Sequence, residues 1–209
     1  QVASQRHQQR LQRTGGDAKI VSLVGYTNAG KSALFNKITS SGVIERNQLF
    51  STLDTTTRRL YLPSGTSATL SDTVGFVHKL PPILVAAFRA TLEEALEADL
   101  LIQVVDISSP YAAEQAQVVS DQLADMGIED TPRILVLNKF DLVAGSAEEP
   151  LSLSVLDQLD VSQFSRVITT SATKGWGLPD LRDAIEAEVG VVQVEEEFED
   201  AADLIGNEV

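Results

Sequence analysis

The chain has 209 residues, with 30 acidic and 16 basic side chains and no cysteine. This length suits one domain with short flanking segments, and an apolar fraction of 43% is ordinary for a folded protein. The composition excludes a disulfide-stabilised scaffold, thiol catalysis and cysteine-ligated metals. No apolar run is long enough to cross a bilayer, so we expect no membrane span.

The net charge of −14 is unevenly distributed along the chain. Seven of the acidic residues lie between positions 192 and 209, where we expect a solvated acidic tail, whereas residues 1–17 are rich in Gln and Arg. A body of this sign repels phosphate backbones, so we expect no direct DNA binding. The first residue is Gln rather than Met, so we expect a fragment or a processed chain.

Apolar runs alternate with stretches of helical periodicity from residue 20 onward. The predicted strands are Ile20–Gly25, Arg58–Pro63, Thr66–Ser71, Leu100–Val105, Arg133–Leu137 and Val167–Thr169. The predicted helices are Lys31–Ser40, Ile83–Ala98, Tyr111–Met126, Ser152–Leu159 and Pro179–Val189. This order predicts an α/β fold with a mixed, mostly parallel six-stranded sheet, one early hairpin, and helices on both faces.

A phosphate-binding motif of the form GxxxxGKS lies between the first predicted strand and the first predicted helix. Its residues are Gly25-Tyr26-Thr27-Asn28-Ala29-Gly30-Lys31-Ser32. The glycines let the backbone curl so that successive N–H groups face phosphate oxygens, and the helix N-terminus adds its positive dipole end. Lys31 can contact the terminal phosphates and the Ser32 hydroxyl can bind Mg²⁺. The motif therefore predicts a P-loop nucleoside triphosphatase.

Two later segments predict which base is bound. Asn138-Lys139-Phe140-Asp141 ends a buried strand, where open α/β sheets bind ligands. The Asp141 carboxylate can accept from both N1–H and the 2-amino group of guanine, a donor pair that adenine lacks. Ser171-Ala172-Thr173 follows the last strand and offers a backbone N–H for the guanine carbonyl. These segments favour GTP and GDP.

Two further segments are candidates for the metal and the γ-phosphate. In Asp72-Thr73-Val74-Gly75, the aspartate would hold Mg²⁺ through water and the Gly75 N–H would contact the γ-phosphate. The loop that contains Phe50-Ser51-Thr52-Leu53-Asp54 is rich in threonine and can supply a second Mg²⁺ hydroxyl. Four threonines of this loop compete for that role, and spacing alone does not choose among them.

These motifs resemble the HflX family of translational GTPases in sequence and in order. The resemblance covers residues 20–189 and is most specific in the GYTNAGKS string and in the FSTLD loop. It also includes DTVGF at 72–76, AFRATLEE at 87–94 and ADL at 98–100. Ala33 and Thr55 depart from the residues usual in the family, Thr and Pro, and the second departure would loosen the loop.

The resemblance implies a GTP-binding G domain at residues 19–190, between a linker segment at 1–18 and the acidic tail at 191–209. It assigns Thr52 as the loop threonine that binds Mg²⁺ beside Ser32 and Asp72, and it makes Lys31, Thr52 and Gly75 the catalytic set. It further implies a protein that acts on the large ribosomal subunit in splitting or rescue of ribosomes. We also expect a cytoplasmic monomer. The family's N-terminal domain, which carries much of the ribosome contact, is missing from this sequence.

Position 76 is Phe, where many small GTPases place a Gln that orients the attacking water. Since Phe cannot hydrogen-bond a water, we predict slow hydrolysis that a partner would stimulate. For His78, Arg89, Arg58 and Arg59 a surface role is at least as plausible as a catalytic one. Trp176 is predicted to lie half-buried near the base-binding loop.

Three other functions remain open at this level. An ATPase would need adenine specificity, which the predicted role of Asp141 opposes. A GTP-binding module without hydrolysis is supported by Phe76 but opposed by the intact Lys31, Ser32 and Asp72. A ribosome-assembly GTPase of the Era or Obg type would share the nucleotide site.

Overall fold

The computed structural model describes residues 19–39, 56–73, 75–76, 97–128, 130–151 and 159–190. The strands are β1 Lys19–Gly25, β2 Thr56–Tyr61, β3 Ser67–Asp72, β4 Leu100–Asp106, β5 Arg133–Asn138 and β6 Arg166–Thr169. The α-helices in this part of the chain are α1 Lys31–Ile38, α2 Ala112–Asp125 and α3 Leu178–Val189. A short 3₁₀ helix covers Phe140–Leu142.

The strands form one six-stranded sheet in the order β2-β3-β1-β4-β5-β6. All neighbouring pairs are parallel except β2 and β3, which form an antiparallel hairpin. The predicted fold class, a mostly parallel α/β sheet with one hairpin, is confirmed. In the sheet, strand β1 lies between β3 and β4. The strands β2 and β3 were added on one side of β1 and the strands β4 to β6 on the other, so the strand order reverses at the carboxyl end of β1. Open α/β sheets bind ligands at such a reversal.

Strand β4 shows how the sheet is covered on both faces. Leu100, Ile102 and Val104 lie in a core cluster that includes α1 and α3. The alternate positions Leu101 and Val105 belong to clusters that include α2. A strand buried on both faces has a nearly continuous apolar sequence, which is why Leu100–Val105, in which Gln103 alone is polar, was predictable as a strand.

The observed elements match the predicted ones to within a few residues. The largest differences are in β2, which begins two residues before the predicted start and ends two residues before the predicted end. Pro63 therefore lies in the turn, as expected for a residue without a backbone N–H. Most of the predicted helix Ile83–Ala98 and of the predicted helix Ser152–Leu159 lies outside the described residues. No helix within the described ranges has the length and apolarity needed to traverse a bilayer.

Helix α3 is hydrogen-bonded both to the β2–β3 hairpin and to α1. The Glu186 carboxylate accepts from the Ser64 N–H at 3.0 Å and from the Ser64 hydroxyl at 2.5 Å. These bonds lower the pKa of Glu186 below its usual value. One turn earlier, Arg182 Nη2 donates to the Ile38 carbonyl at 2.6 Å. Helix α3 thereby fixes both the β2–β3 turn and the end of α1.

We predict that replacing Gly177 by Ala destabilises the fold more than the same change at Gly127. Both glycines have positive φ, +65° and +69°, and an alanine in that conformation costs about 1–2 kcal/mol. At Gly177 the added Cβ would also collide with the Thr169 carbonyl, whereas at Gly127 nothing lies within 4 Å. The collision should add about 1–3 kcal/mol, measured as the free energy of unfolding in urea. Equal losses in the two variants would contradict the close packing of Gly177 on β6.

Candidate nucleotide-binding site

The carboxyl ends of the parallel strands bring the predicted motifs together. Asp72 ends β3 and Asn138 ends β5, while the loop of residues 25–32 leaves β1 and opens α1. Asp106 ends β4 directly beside Asn138, with which it is paired in the strand register. Motifs that are separated by up to about a hundred residues in sequence therefore share one edge of the sheet.

The loop 25–32, called the P-loop below, has the backbone conformation that its sequence predicts. Asn28 and Gly30 adopt positive φ angles of 64° and 91°, so the chain curls between β1 and α1. The Ala29 N–H donates to the Tyr26 carbonyl at 3.2 Å and closes the turn. A Cβ at Gly30 would collide with the Asn138 side-chain amide, so this glycine also permits close approach of the two segments.

Lys31 lies buried inside the curl of the loop. Its Nζ donates to the carbonyls of Gly25 at 3.1 Å and Tyr26 at 3.2 Å. Burial lowers the pKa of this ammonium group to about 8, and attraction to the Asp72 carboxylate opposes the shift. A cation held in a desolvated position interacts more strongly with an anion than a cation in water does. The site is therefore suited to a phosphate group.

Ser32 and Asp72 bring two oxygen donors together. The Ser32 hydroxyl donates to Asp72 Oδ2 at 2.6 Å, and Asp72 is only 2% exposed. Thr73, the next residue, donates instead to the Leu23 carbonyl at 2.6 Å and is fully buried. The Thr73 hydroxyl is therefore bonded to β1, and the inclusion of Thr73 among the nucleotide-binding residues stays a prediction.

Phe76 is hydrogen-bonded to the P-loop, and Gly75 lies close to it. The Phe76 N–H donates to the Gly25 carbonyl at 3.0 Å, and the Thr27 N–H donates to the Phe76 carbonyl at 2.8 Å. The Phe76 side chain is 2% exposed and packs with Val24, Leu101 and residues of α2. A Cβ at Gly75 would lie 3.0 Å from Lys31 Nζ, so the backbone there passes close to the ammonium group. Phe76 thus has a role in the core that the sequence did not reveal.

Asn138 bonds three segments around the predicted base site. Its Nδ2 donates to the Ala29 carbonyl at 3.0 Å. Its Oδ1 accepts from the Thr170 hydroxyl and from the Ala172 N–H, each at 3.2 Å. The side chain is 1% exposed, so these bonds satisfy a polar group that burial would otherwise destabilise. Asn138 joins the P-loop to the loop that follows β6.

Asp141 lies in the 3₁₀ helix and is half-buried. Its Oδ2 accepts from the Thr173 hydroxyl at 3.3 Å, which brings the two predicted base-binding segments side by side. Ser171 is fully buried, and its hydroxyl accepts from the Lys174 N–H at 3.0 Å. The Ser171 side chain therefore shapes the loop, whereas Asp141 remains available to a ligand.

The other candidates of the sequence analysis divide into two groups. Arg58 contacts α1, where it donates to Asn36 Oδ1 at 3.0 Å and lies over the Phe35 ring at 5.0 Å, and Arg59 is exposed on the edge strand β2. Trp176 is half-buried against the core, as predicted. The remaining candidates lie outside the described residues: Phe50, Ser51, Thr52, Leu53, Asp54, Val74, His78 and Arg89.

Two residues of this network were not found by sequence reasoning. Asp106 forms an ion pair with Lys139 at 2.7 Å, and Thr170 donates to Asn138. Each directly follows a predicted strand, Leu100–Val105 for Asp106 and Val167–Thr169 for Thr170. A polar residue directly after a predicted strand of a parallel sheet is the signal that could have identified them.

Comparison with known proteins agrees with this geometry. Residues 20–139 match the model of a family described as 50S ribosome-binding GTPase. GTPase HflX of Caldanaerobacter subterraneus subsp. tengcongensis is 43% identical over 189 residues, which cover 90% of this chain and 41% of that protein. GTPase HflX of Escherichia coli K12 is 42% identical over 184 residues, which cover 88% of this chain and 42% of that protein.

A solved structure is also similar to this chain in fold and in sequence. It is a GTP-binding protein from the hyperthermophilic archaeon Sulfolobus solfataricus in complex with GDP, 31% identical, with a TM-score of 0.64. The match covers 81% of this chain and 51% of that one. This chain spans about two fifths of the length of the curated relatives it matches. The chain belongs to the 50S ribosome-binding GTPase family and, within it, to the HflX GTPases that its motifs predicted, of which it contains the G domain.

Proposed function

We propose that this chain binds GTP and GDP together with Mg²⁺, hydrolyses GTP slowly on its own, and acts as a switch on the large ribosomal subunit. The observation that carries the proposal is the convergence of the buried Lys31, the Ser32–Asp72 pair and Asp141 on one edge of the sheet. Residues 19–190 would form the G domain, with residues 1–18 and 191–209 as flanking segments.

The residues present fit a magnesium ion. In the described ranges no group of three or more His, Cys, Asp or Glu side chains could hold a metal ion by itself. Mg²⁺ needs few protein ligands beside nucleotide phosphates, and it prefers oxygen donors. Ser32 and Asp72 supply a hydroxyl and a carboxylate 2.6 Å apart. Ser32 would bind the ion directly and Asp72 through water, with Thr52 as the expected second hydroxyl. The ion would neutralise charge on the phosphates.

The P-loop residues would bind the phosphates and stabilise the transition state. Lys31 would exchange its bonds to the Gly25 and Tyr26 carbonyls for bonds to phosphate oxygens. Because the ammonium group is already buried and placed, it can stabilise developing charge with little reorganisation. The Gly75 N–H is expected to contact the γ-phosphate, since the backbone there passes close to Lys31. Asp141 would select guanine by accepting from the N1–H and the 2-amino group of the base.

We predict that Asp141→Asn weakens GDP binding by about 10–150-fold, because a charge-assisted hydrogen bond contributes about 1.5–3 kcal/mol. The amide of the new side chain can donate to the 2-carbonyl of xanthine, so affinity for xanthosine diphosphate should rise. Equilibrium binding of the two nucleotides checks both effects. Asp121→Asn, an exposed change on α2 whose carboxylate accepts from Gln117, is the matched control. Unchanged purine preference in Asp141→Asn would contradict the guanine assignment.

We predict that Phe76 supports the fold and takes no part in the hydrolysis step. Phe76→Ala should destabilise the chain by about 3–5 kcal/mol, since the side chain is 2% exposed in a core cluster. Phe76→Leu keeps an apolar side chain and should lose less. Single-turnover hydrolysis, measured per molecule of bound GTP, should stay within about threefold of the parent in Phe76→Leu. A loss above about a hundredfold in that folded variant would assign Phe76 to catalysis.

The ribosomal part of the proposal is supported by the family description, which names the 50S ribosome. We expect a basal hydrolysis rate on the order of 10⁻⁴–10⁻² s⁻¹, as for GTPases without a partner. A cytoplasmic monomer is the corresponding proposal for location and assembly.

Phosphate release with and without 50S subunits tests the proposed switch. We expect GTP hydrolysis by a full-length chain to rise by at least about tenfold with 50S subunits, because binding would order the loops around the γ-phosphate. The present sequence, assayed beside it, should show a smaller rise. Lys31→Ala, which removes the charge that contacts phosphate, is the inactive control. Absence of hydrolysis in both chains with and without subunits would indicate a binding module.

A further inference from the structure

Asp106 is a charged residue at the candidate site that the proposed function does not use. It ends β4, and its Oδ2 accepts from Lys139 Nζ at 2.7 Å. The side chains of Lys139 and Asp106 are 27% and 15% exposed, so the pair is partly shielded from water. An ion pair with this shielding and this short distance constrains the lysine more than a surface pair would.

The Asp106 carboxylate is itself held in a fixed orientation. Its Oδ1 accepts from the Ser108 N–H at 3.0 Å and from the Ser108 hydroxyl at 2.6 Å. The next backbone N–H, of Ile107, donates to the Asn138 carbonyl at 3.0 Å. The carboxylate therefore has one oxygen committed to its own turn, and the other oxygen faces Lys139.

Lys139 is held at both ends of its side chain. Its backbone has a φ of +62°, which few residues other than glycine adopt, and Asn138 and Asp141 flank it in the motif. Its Cε lies 3.9 Å from the position that a Cβ on Gly30 would occupy, so the side chain extends along the P-loop. Between a fixed backbone and a fixed ammonium group, the methylene stem has little freedom left.

We propose that Asp106 is a positioning residue for the purine, acting through Lys139. By holding the ammonium group, the carboxylate keeps the lysine stem as an apolar wall beside the base-binding residues Asn138 and Asp141. The carboxylate also neutralises the lysine charge at that wall, which favours contact with a flat, weakly polar ring. This inference rests on the proposed binding of guanine nucleotides.

The roles of Asp106 and Asp141 differ in a measurable way. An apolar wall contacts the face of any purine, so its loss weakens binding of guanosine and inosine diphosphate equally. Asp141 is proposed to accept from the 2-amino group, which inosine lacks, so its loss changes the ratio of the two affinities. The inosine-to-guanosine ratio therefore separates positioning from base selection.

The test uses Asp106→Asn, which keeps an oxygen for Ser108 and removes the negative charge. We expect the dissociation constants of both diphosphates to rise about three- to tenfold, with their ratio unchanged. In a Lys139→Met background the same change should have no further effect. Ser108→Ala, which removes one contact to Oδ1 and keeps the ion pair, is the matched control and should have a smaller effect.

Three results would overturn the inference. Asp106→Asn could lower the melting temperature of the nucleotide-free protein and leave both affinities unchanged, as a purely structural turn would. It could weaken binding as much in the Lys139→Met background as in the parent, which would show that Asp106 does not act through Lys139. A parent chain that binds neither diphosphate would refute the proposed function itself, whereas the first two results leave that function intact.

Discussion

The hydrogen bonds of the Asn138 side chain are the constraint on which the site depends. One buried amide connects the P-loop, strand β5 and the loop after β6. A buried amide that lost these partners would destabilise the fold, so each bond restricts where the three segments can lie. The Asn138 side chain therefore helps to fix the loop 25–32 relative to the two segments that are predicted to bind the base.

The site also concentrates charge away from water. Lys31 is buried against backbone carbonyls and Asp72 is buried beside Ser32. Such groups are unfavourable for stability unless they are paired, and here each is paired with a neighbour that a nucleotide or a metal ion can replace. The lowered pKa of Lys31 records the cost of its burial. Ligand binding would exchange these internal bonds for stronger ones.

The rest of the fold supports this edge of the sheet. Phe76 packs in the core while its backbone is bonded to Gly25 and Thr27, so Phe76 and the P-loop are held together. Helix α3 lies on the opposite side of the sheet from α2. It fixes the end of α1 and the β2–β3 turn. The described elements on either side of residues 40–55 are thus anchored.

The sequence by itself determined the strands, the order of the motifs and the residues that define a G domain. Buried strands such as Leu100–Val105 and the GxxxxGKS string depend on local patterns, and local patterns are readable from one chain. Tertiary structure alone decided the burial of Phe76 and Thr73, the ion pair between Asp106 and Lys139, and the contact of Arg58 with Asn36. These contacts join residues that are distant in sequence, and no local pattern shows which distant segments meet.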